Sequence, residues 1–192
     1  MAKLYFYYAS MNAGKSTTLL QADFNYRERG LTTLLFTAAI DTREGAGTIG
    51  SRIGLSAPAT PFDADTDLLE SVAAQHRQHA VGCVLVDEAQ FLSAIQVDQL
   101  AQVADDLGVP VLAYGLRTDF RGELFPGSAA LLALADDLRE VRTICHCGRK
   151  ATMVVRLGPD GAVLREGAQI QVGGNESYVS LCRRHWRAAM GA

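Results

Sequence analysis

Leu4-Tyr5-Phe6-Tyr7-Tyr8-Ala9 passes directly into Ser10-Met11-Asn12-Ala13-Gly14-Lys15-Ser16. The first six residues are aromatic and apolar and predict a short buried strand. The next five form a polar turn. From about residue 15 to residue 29 the pattern is helical, and Gly30 stops it. A strand, a tight turn and a helix opening on Lys-Ser form the setting of a phosphate-binding loop. Backbone N–H groups of the turn and of the helix N-terminus surround phosphate oxygens with donors. Lys15 is expected to reach the β- and γ-phosphates of ATP, and the Ser16 hydroxyl to bind Mg²⁺. Gly14 allows close approach of the backbone. Ala9 stands where the usual pattern G-x-x-x-x-G-K-[ST] has its first glycine. Alanine disfavours positive φ, so the loop is expected to enter with ordinary geometry.

Outward from this loop, residues 32–37 are rich in β-formers, 67–79 read as helix, and 83–86 as a continuous apolar strand. Residues 93–107 are helical, with Ser93 as N-cap and Gly108 past the end, and 110–114 form another strand. Continuous apolar strands alternating with helices predict an α/β fold: a P-loop parallel sheet with helices on both faces. Residues 41–54, with four glycines, Arg43 and Arg52, read as a mobile loop. After Thr143 the character changes to cysteines, glycine turns and short strands at 151–157 and 169–172. A boundary near Arg142 is expected, dividing a nucleotide-binding domain (1–142) from a small β-rich, zinc-bearing subdomain (143–192).

The second signal, an acidic one, lies at the end of the strand Cys83-Val84-Leu85-Val86, which runs into Asp87-Glu88-Ala89-Gln90. In open α/β sheets, ligands collect at the carboxyl ends of strands. That places Asp87 near Mg²⁺ and beside the phosphate loop. Glu88, one residue on, can face an acceptor and take the proton of an attacking hydroxyl. A solvated acidic turn is the plain alternative, and it loses weight because a phosphate loop precedes it. Residues 9–16 and Asp87, Glu88, Ala89 and Gln90 together make the expected ATP site, with Glu88 catalytic and Ser16 and Asp87 at the magnesium.

Cys145-x-Cys147 is separated by 34 residues from Cys182-x-x-His185. Two close ligand pairs on two turns are how small proteins assemble a tetrahedral zinc site. His146 sits between the first pair and could compete. No carboxylate base accompanies the set, so the metal reads as structural. By contrast His76 and His79, at i and i+3, lack a third ligand and read as an exposed face. Arg183, Arg184 and Arg187 read as a solvated face, and Trp186 as packing.

Composition restricts the classes. The chain has 192 residues, 48% hydrophobic and 20% charged, enough for an ordinary core. A net charge of −3 leaves no basic footprint for a dedicated nucleic-acid binder. No segment has the length of a membrane span or the shape of a signal peptide, so a reducing cytoplasm is expected, where clustered cysteines favour metal over disulfides.

Taken in order, Ser10-Met-Asn-Ala-Gly-Lys-Ser16, Asp41-Thr-Arg43, Ser51-Arg52-Ile-Gly54, Asp87-Glu-Ala-Gln-Phe91, Tyr114-Gly-Leu-Arg-Thr-Asp-Phe-Arg121, Cys145-His-Cys147, Gly173-Gly174 with Tyr178, and Cys182-Arg-Arg-His185 resemble the cytosolic-type (type II) thymidine kinases, close to the bacterial members. The resemblance covers nearly the whole chain. It implies transfer of the γ-phosphate of ATP to the 5′-hydroxyl of thymidine, with Glu88 as general base. It implies that Met11, Phe91, Leu116 and Phe120 wall the thymine ring. Residues 169–178, with Gln171 and Gly173, resemble a lasso loop whose backbone binds the base and which Tyr178 closes. Arg43 resembles the arginine of a loop near the phosphates, and the zinc ligands resemble an anchor for the lasso. A homotetramer inhibited by thymidine triphosphate is also implied. The Cys-x-Cys, Cys-x-x-His set departs from an all-cysteine pattern elsewhere in the family. A nucleic-acid-stimulated P-loop ATPase is the competing reading, which the short chain and acidic balance disfavour.

Overall fold

A computed structural model describes residues 1–43, 45–170 and 177–191. Strand β1 (Leu4–Ala9) leads through the turn into helix α1 (Lys15–Glu28), and β2 (Thr32–Ala38) follows. Residues 41–54 differ from the loop expected there: they contain β3 (Thr48–Gly50), which pairs antiparallel with β4 (Ser56–Pro58). The reason lies in Ile49, which is buried against the α1 side of the sheet and pins the hairpin there. Then come β5 (Thr60–Phe62), α2 (Leu68–Gln78), β6 (Val81–Val86), a 3-10 turn (Ala89–Phe91), α3 (Ala94–Asp106), β7 (Val111–Leu116), α4 (Pro126–Leu134) and β8 (Asp137–Glu140). β5, α4 and β8 carry no clear sequence signal. β5 contains a proline, α4 opens on Pro-Gly, and β8 is a charged edge strand.

Six strands form one sheet in the order β5-β2-β6-β7-β1-β8, and every pairing is parallel. Alternation along β1 explains how both faces are used: Leu4 and Phe6 join the core under α2, α3 and α4, while Tyr5 and Tyr7 pack toward α1. On the first face Leu68, Val72, Val97, Leu100, Val103 and Leu131 bury against Val84, Val86, Val111 and Ala113. On the other, Leu19 and Leu20 of α1 cover Leu35, Cys83, Leu85 and Leu112. Burying each such side chain contributes roughly 1.5–3 kcal/mol. Ser93 caps α3 in a full capping box with Gln96, as its position predicts.

Beyond β8 the chain leaves this sheet. β9 (Thr143–Ile144) pairs with β10 (Lys150–Ala151), and β11 (Met153–Leu157) is flanked by β12 (Val163–Leu164) and β13 (Tyr178–Leu181), all antiparallel. Helix α5 (Arg183–Met190) closes the segment. The strand expected at 169–172 is not formed by Gln169 and Ile170; residues 171 and 172 lie outside the described residues. Thr152, between β10 and β11, bonds through its backbone to Leu181, so the strand expected as one run at 151–157 is two. Among the described residues no helix is long and apolar enough to cross a membrane.

Candidate active site

The ends of β1, β6 and β7 meet at the carboxyl edge of the sheet, where a cavity of about 490 Å³ opens. Ala9 is the last residue of β1, paired with Leu116 and 5% exposed. It is not among the residues with positive φ; Asn12 (φ +60°) and Gly14 (φ +86°) make the turn instead. The missing first glycine therefore costs the loop nothing in backbone geometry. Gly14 is the N-cap of α1, whose first turn carries no acidic residue. The positive end of the helix is thus left open toward the cavity.

Lys15 is 8% exposed and its Nζ donates to the Ser10 carbonyl at 3.2 Å. Burial lowers its pKa, an effect opposed by the Glu88 and Asp87 carboxylates. The Ser16 hydroxyl donates to Asp87 Oδ2 at 2.8 Å, tying the start of α1 to the end of β6 across β7. Asp87 is buried, which pushes its carboxyl up to about 7, with the neighbouring Glu88 adding to the rise. Ser10 Oγ is buried without a partner among the described residues. An unsatisfied hydroxyl, a buried ammonium and a helix N-terminus around one opening form a donor set suited to phosphate oxygens.

Glu88 takes a left-handed backbone conformation (φ +52°, ψ +37°), which turns its side chain back over the site. One carboxylate oxygen accepts from Arg43 Nη2 at 2.5 Å and the other from the Gln90 side chain. Arg43 also forks onto Asp41 with two bonds of 2.7 Å. Gln90 Oε1 accepts the Leu116 N–H at 2.9 Å, so the turn after β6 is fastened over the end of β7. This fastening requires Gly115, because a Cβ there would lie 2.9 Å from the Gln90 nitrogen.

The cavity also has apolar and aromatic lining. Met11, Phe91, Leu116, Phe120 and Tyr178 all line it. Phe91 and Phe125 meet edge to face at 6.0 Å. The Ser180 hydroxyl of β13 donates to the Met11 carbonyl at 2.6 Å and ties the phosphate loop to the C-terminal sheet. Of the base-binding residues expected by resemblance, Gln171 and Gly173 lie outside the described residues. Asp119 falls within the stretch 114–121 but is given no role by the sequence; it is 2% exposed and accepts from the backbones of Arg121 and Glu123, both at 2.9 Å. It shapes the loop that bears Phe120, and only the spacing Asp-x-Arg-x-Glu hints at such a turn.

The four ligands expected for a metal come together. Cys145, Cys147, Cys182 and His185 place their ligand atoms within 4.8 Å of one another. The separations are 3.3 Å from Cys145 Sγ to His185 Nδ1, 3.5 Å from Cys182 Sγ to the same nitrogen, and 3.9 Å between Cys147 and Cys182 Sγ. A tetrahedron with Zn–S of about 2.3 Å has S···S edges of roughly 3.8 Å, so the donor set fits such an ion. Although desolvation acts the other way, N–H donation from Cys147 and Cys182 brings the Cys145 thiol down to about 5. His146 stacks on His185 with centroids 4.3 Å apart. None of the discounted residues is a member of the metal-ligand cluster or lines the cavity. His76 Nδ1 accepts the Val81 N–H at the end of α2, and Arg183, Arg184 and Arg187 are exposed. Trp186 packs, with its indole N–H on the Phe120 carbonyl at 2.9 Å.

A profile of the thymidine kinase family matches residues 2–186. The chain belongs to the thymidine kinase family. Thymidine kinases of similar sequence come from Agrobacterium fabrum (66% identity, 97% of this chain and 96% of the relative) and Novosphingobium aromaticivorans (65%, 100% of both). That of Yersinia pestis is 59% identical over 100% of this chain and 98% of its own. The Pif1 helicase of Candida albicans shares a partial fold likeness with this thymidine kinase family member (TM-score 0.44, 13% identity, 75% of this chain and 36% of the helicase).

Proposed function

We propose that the chain transfers the γ-phosphoryl group of ATP to the 5′-hydroxyl of thymidine, giving thymidine monophosphate and ADP. The observation that carries this is one cavity with two chemistries. A phosphate loop with Lys15 and Ser16, the aromatic and apolar side chains of Met11, Phe91, Leu116, Phe120 and Tyr178, and the Glu88 carboxylate all line it. Lys15 and the N–H groups from Ser10 to Ser16 hold the phosphates. Ser16, with Asp87 behind it, would hold Mg²⁺, which would offset the negative charge of the phosphates.

Glu88 takes the 5′-hydroxyl proton as that oxygen bonds to the γ-phosphorus, and the bond from phosphorus to the β–γ bridging oxygen breaks to release ADP. A carboxylate offers about four acceptor sites, so the bonds from Arg43 and Gln90 leave room for the hydroxyl. Met11, Phe91, Leu116, Phe120 and Tyr178 enclose the thymine ring, and the backbone of the segment with Gln171 and Gly173 binds its polar edge. Residues 143–192 act as the zinc-held cover on the nucleotide-binding unit 1–142. A homotetramer, a cytoplasmic location and inhibition by thymidine triphosphate belong to the same proposal.

The test is ADP production from Mg·ATP across thymidine, deoxyuridine, deoxycytidine, deoxyadenosine and uridine, with single-stranded DNA alongside. Turnover confined to thymidine and deoxyuridine is expected. Turnover that needs DNA, or none with any nucleoside, would overturn the proposal.

A further inference from the structure

Arg156, on β11, is 3% exposed and does not line the cavity. No carboxylate pairs with it among the described residues, and its Nε lacks a hydrogen-bond partner there. A buried cation so poorly compensated weakens the fold, and it therefore points to a task other than stability. Its guanidinium lies 4.0 Å from the centroid of the Phe120 ring, which lines the cavity. Its Nη1 donates to the Ala168 carbonyl at 2.9 Å. Gly167, at φ +135°, is cut back to admit it, since a Cβ there would meet Arg156 Nη2 at 2.5 Å. Gln169 and Ile170, next along, line the cavity, and Gln169 Nε2 bonds Asp119 Oδ2 and the Leu124 carbonyl, both at 3.3 Å. Two parts of the cavity lining, the Phe120 ring and the pair Gln169 and Ile170 that follows Ala168, thus rest on one planar cation.

We propose that Arg156 is a positioning residue that sets the width of the slot for the thymine ring. The inference rests on the thymidine reading above. A planar guanidinium stacks on an aromatic face while one of its N–H groups bonds a carbonyl in a fixed direction, and an ammonium does not reproduce this. The role predicts an effect confined to the nucleoside.

The test compares wild type, Arg156→Met and Arg156→Lys by steady-state kinetics, with zinc content and melting temperature measured on the same samples. For Arg156→Met the KM for thymidine is expected to rise about tenfold or more, while kcat and the KM for ATP stay within about twofold. Arg156→Lys is expected to fall between, with zinc retained in both. An unmoved thymidine KM, or a thymidine KM that rises only in step with the ATP KM, would overturn the role. If the Arg156 variants do not fold, Gly167→Ala decides. It keeps the cation but displaces it, so a raised thymidine KM supports the proposal and an unchanged one sinks it. Wild-type enzyme that leaves thymidine untouched fails the functional reading and takes this inference with it, whereas a working wild type with unmoved variants fails Arg156 alone.

Discussion

Glu88 and Gly127 show how much depends on single positions. A non-glycine residue in the left-handed region costs of order 1–3 kcal/mol, and Glu88 (φ +52°) is one of two such residues among those described. The surrounding bonds from Arg43 and Gln90 hold it there. Glu88→Gln keeps the shape and removes the base. Turnover is expected to fall by about 10²- to 10⁴-fold with ATP binding largely kept, as measured by single-turnover phosphorylation beside nucleotide titration. Near-normal turnover would take Glu88 out of this role. Gly127 supports the same turn from below, in the first turn of α4. A Cβ there would lie 2.6 Å from the carbonyl oxygens of both Ala89 and Leu92. These are backbone atoms that cannot swing aside, so Gly127→Ala is expected to destabilise the protein by about 1–3 kcal/mol, read from denaturant unfolding. An unchanged unfolding midpoint would show that the turn gives way freely.

At the scale of elements, the packing of α1 on β6 buries two acids. Burial pushes the Cys83 thiol up to about 12, and burial together with Cys83 raises the Tyr26 hydroxyl to about 12. Their ordinary values are 9.0 and 10.0. In the folded chain both protons stay bound where the unfolded chain releases them. The unfolded state then binds fewer protons, and stability falls as pH rises. The contribution is complete below about pH 9 and is lost progressively toward about pH 12. Urea unfolding at about pH 8 and about pH 10.5 is expected to show this loss, and Cys83→Ala to reduce it. A Cys83→Ala slope equal to wild type would mean that the thiol does not take part. The hairpin β3–β4 belongs to this scale too. Its glycines read as a loop, yet Ile49 finds a buried seat beside α1 that no local pattern announces.

For the whole molecule, the C-terminal segment is connected to the phosphate site at few points. Among the described residues these include the Ser180 bond to Met11, the Trp186 bond to Phe120, the Arg117 bond to the Thr152 carbonyl, and the contacts of Arg156 and Gln169. The ligand cluster at Cys145 and Cys182 belongs to the small core that holds this segment together. About one zinc per chain is expected by elemental analysis, and Cys145→Ser with Cys182→Ser is expected to lose it. Such a variant should lose thymidine turnover before it loses ATP binding, because the phosphate loop stands on the main sheet. Protein purified without chelator and found free of metal would refute this. The local chemistry of the chain was legible in the sequence: the strand and turn leading into a helix that opens on Lys15 and Ser16, the strand running into Asp87, and the spacing of the Cys and His ligands. Each is a short pattern whose meaning lies in covalent neighbours. The sequence by itself also determined the alternation of strands and helices, since burial on both faces of a parallel sheet demands apolar runs. Only the tertiary structure decided the strand order that brings Ser16 to Asp87 across β7, the charged edge strand β8, and the seating of Arg156 under Phe120. Those depend on contacts between residues far apart in the chain, and neither periodicity nor spacing carries information about which distant side chain will fill a given space.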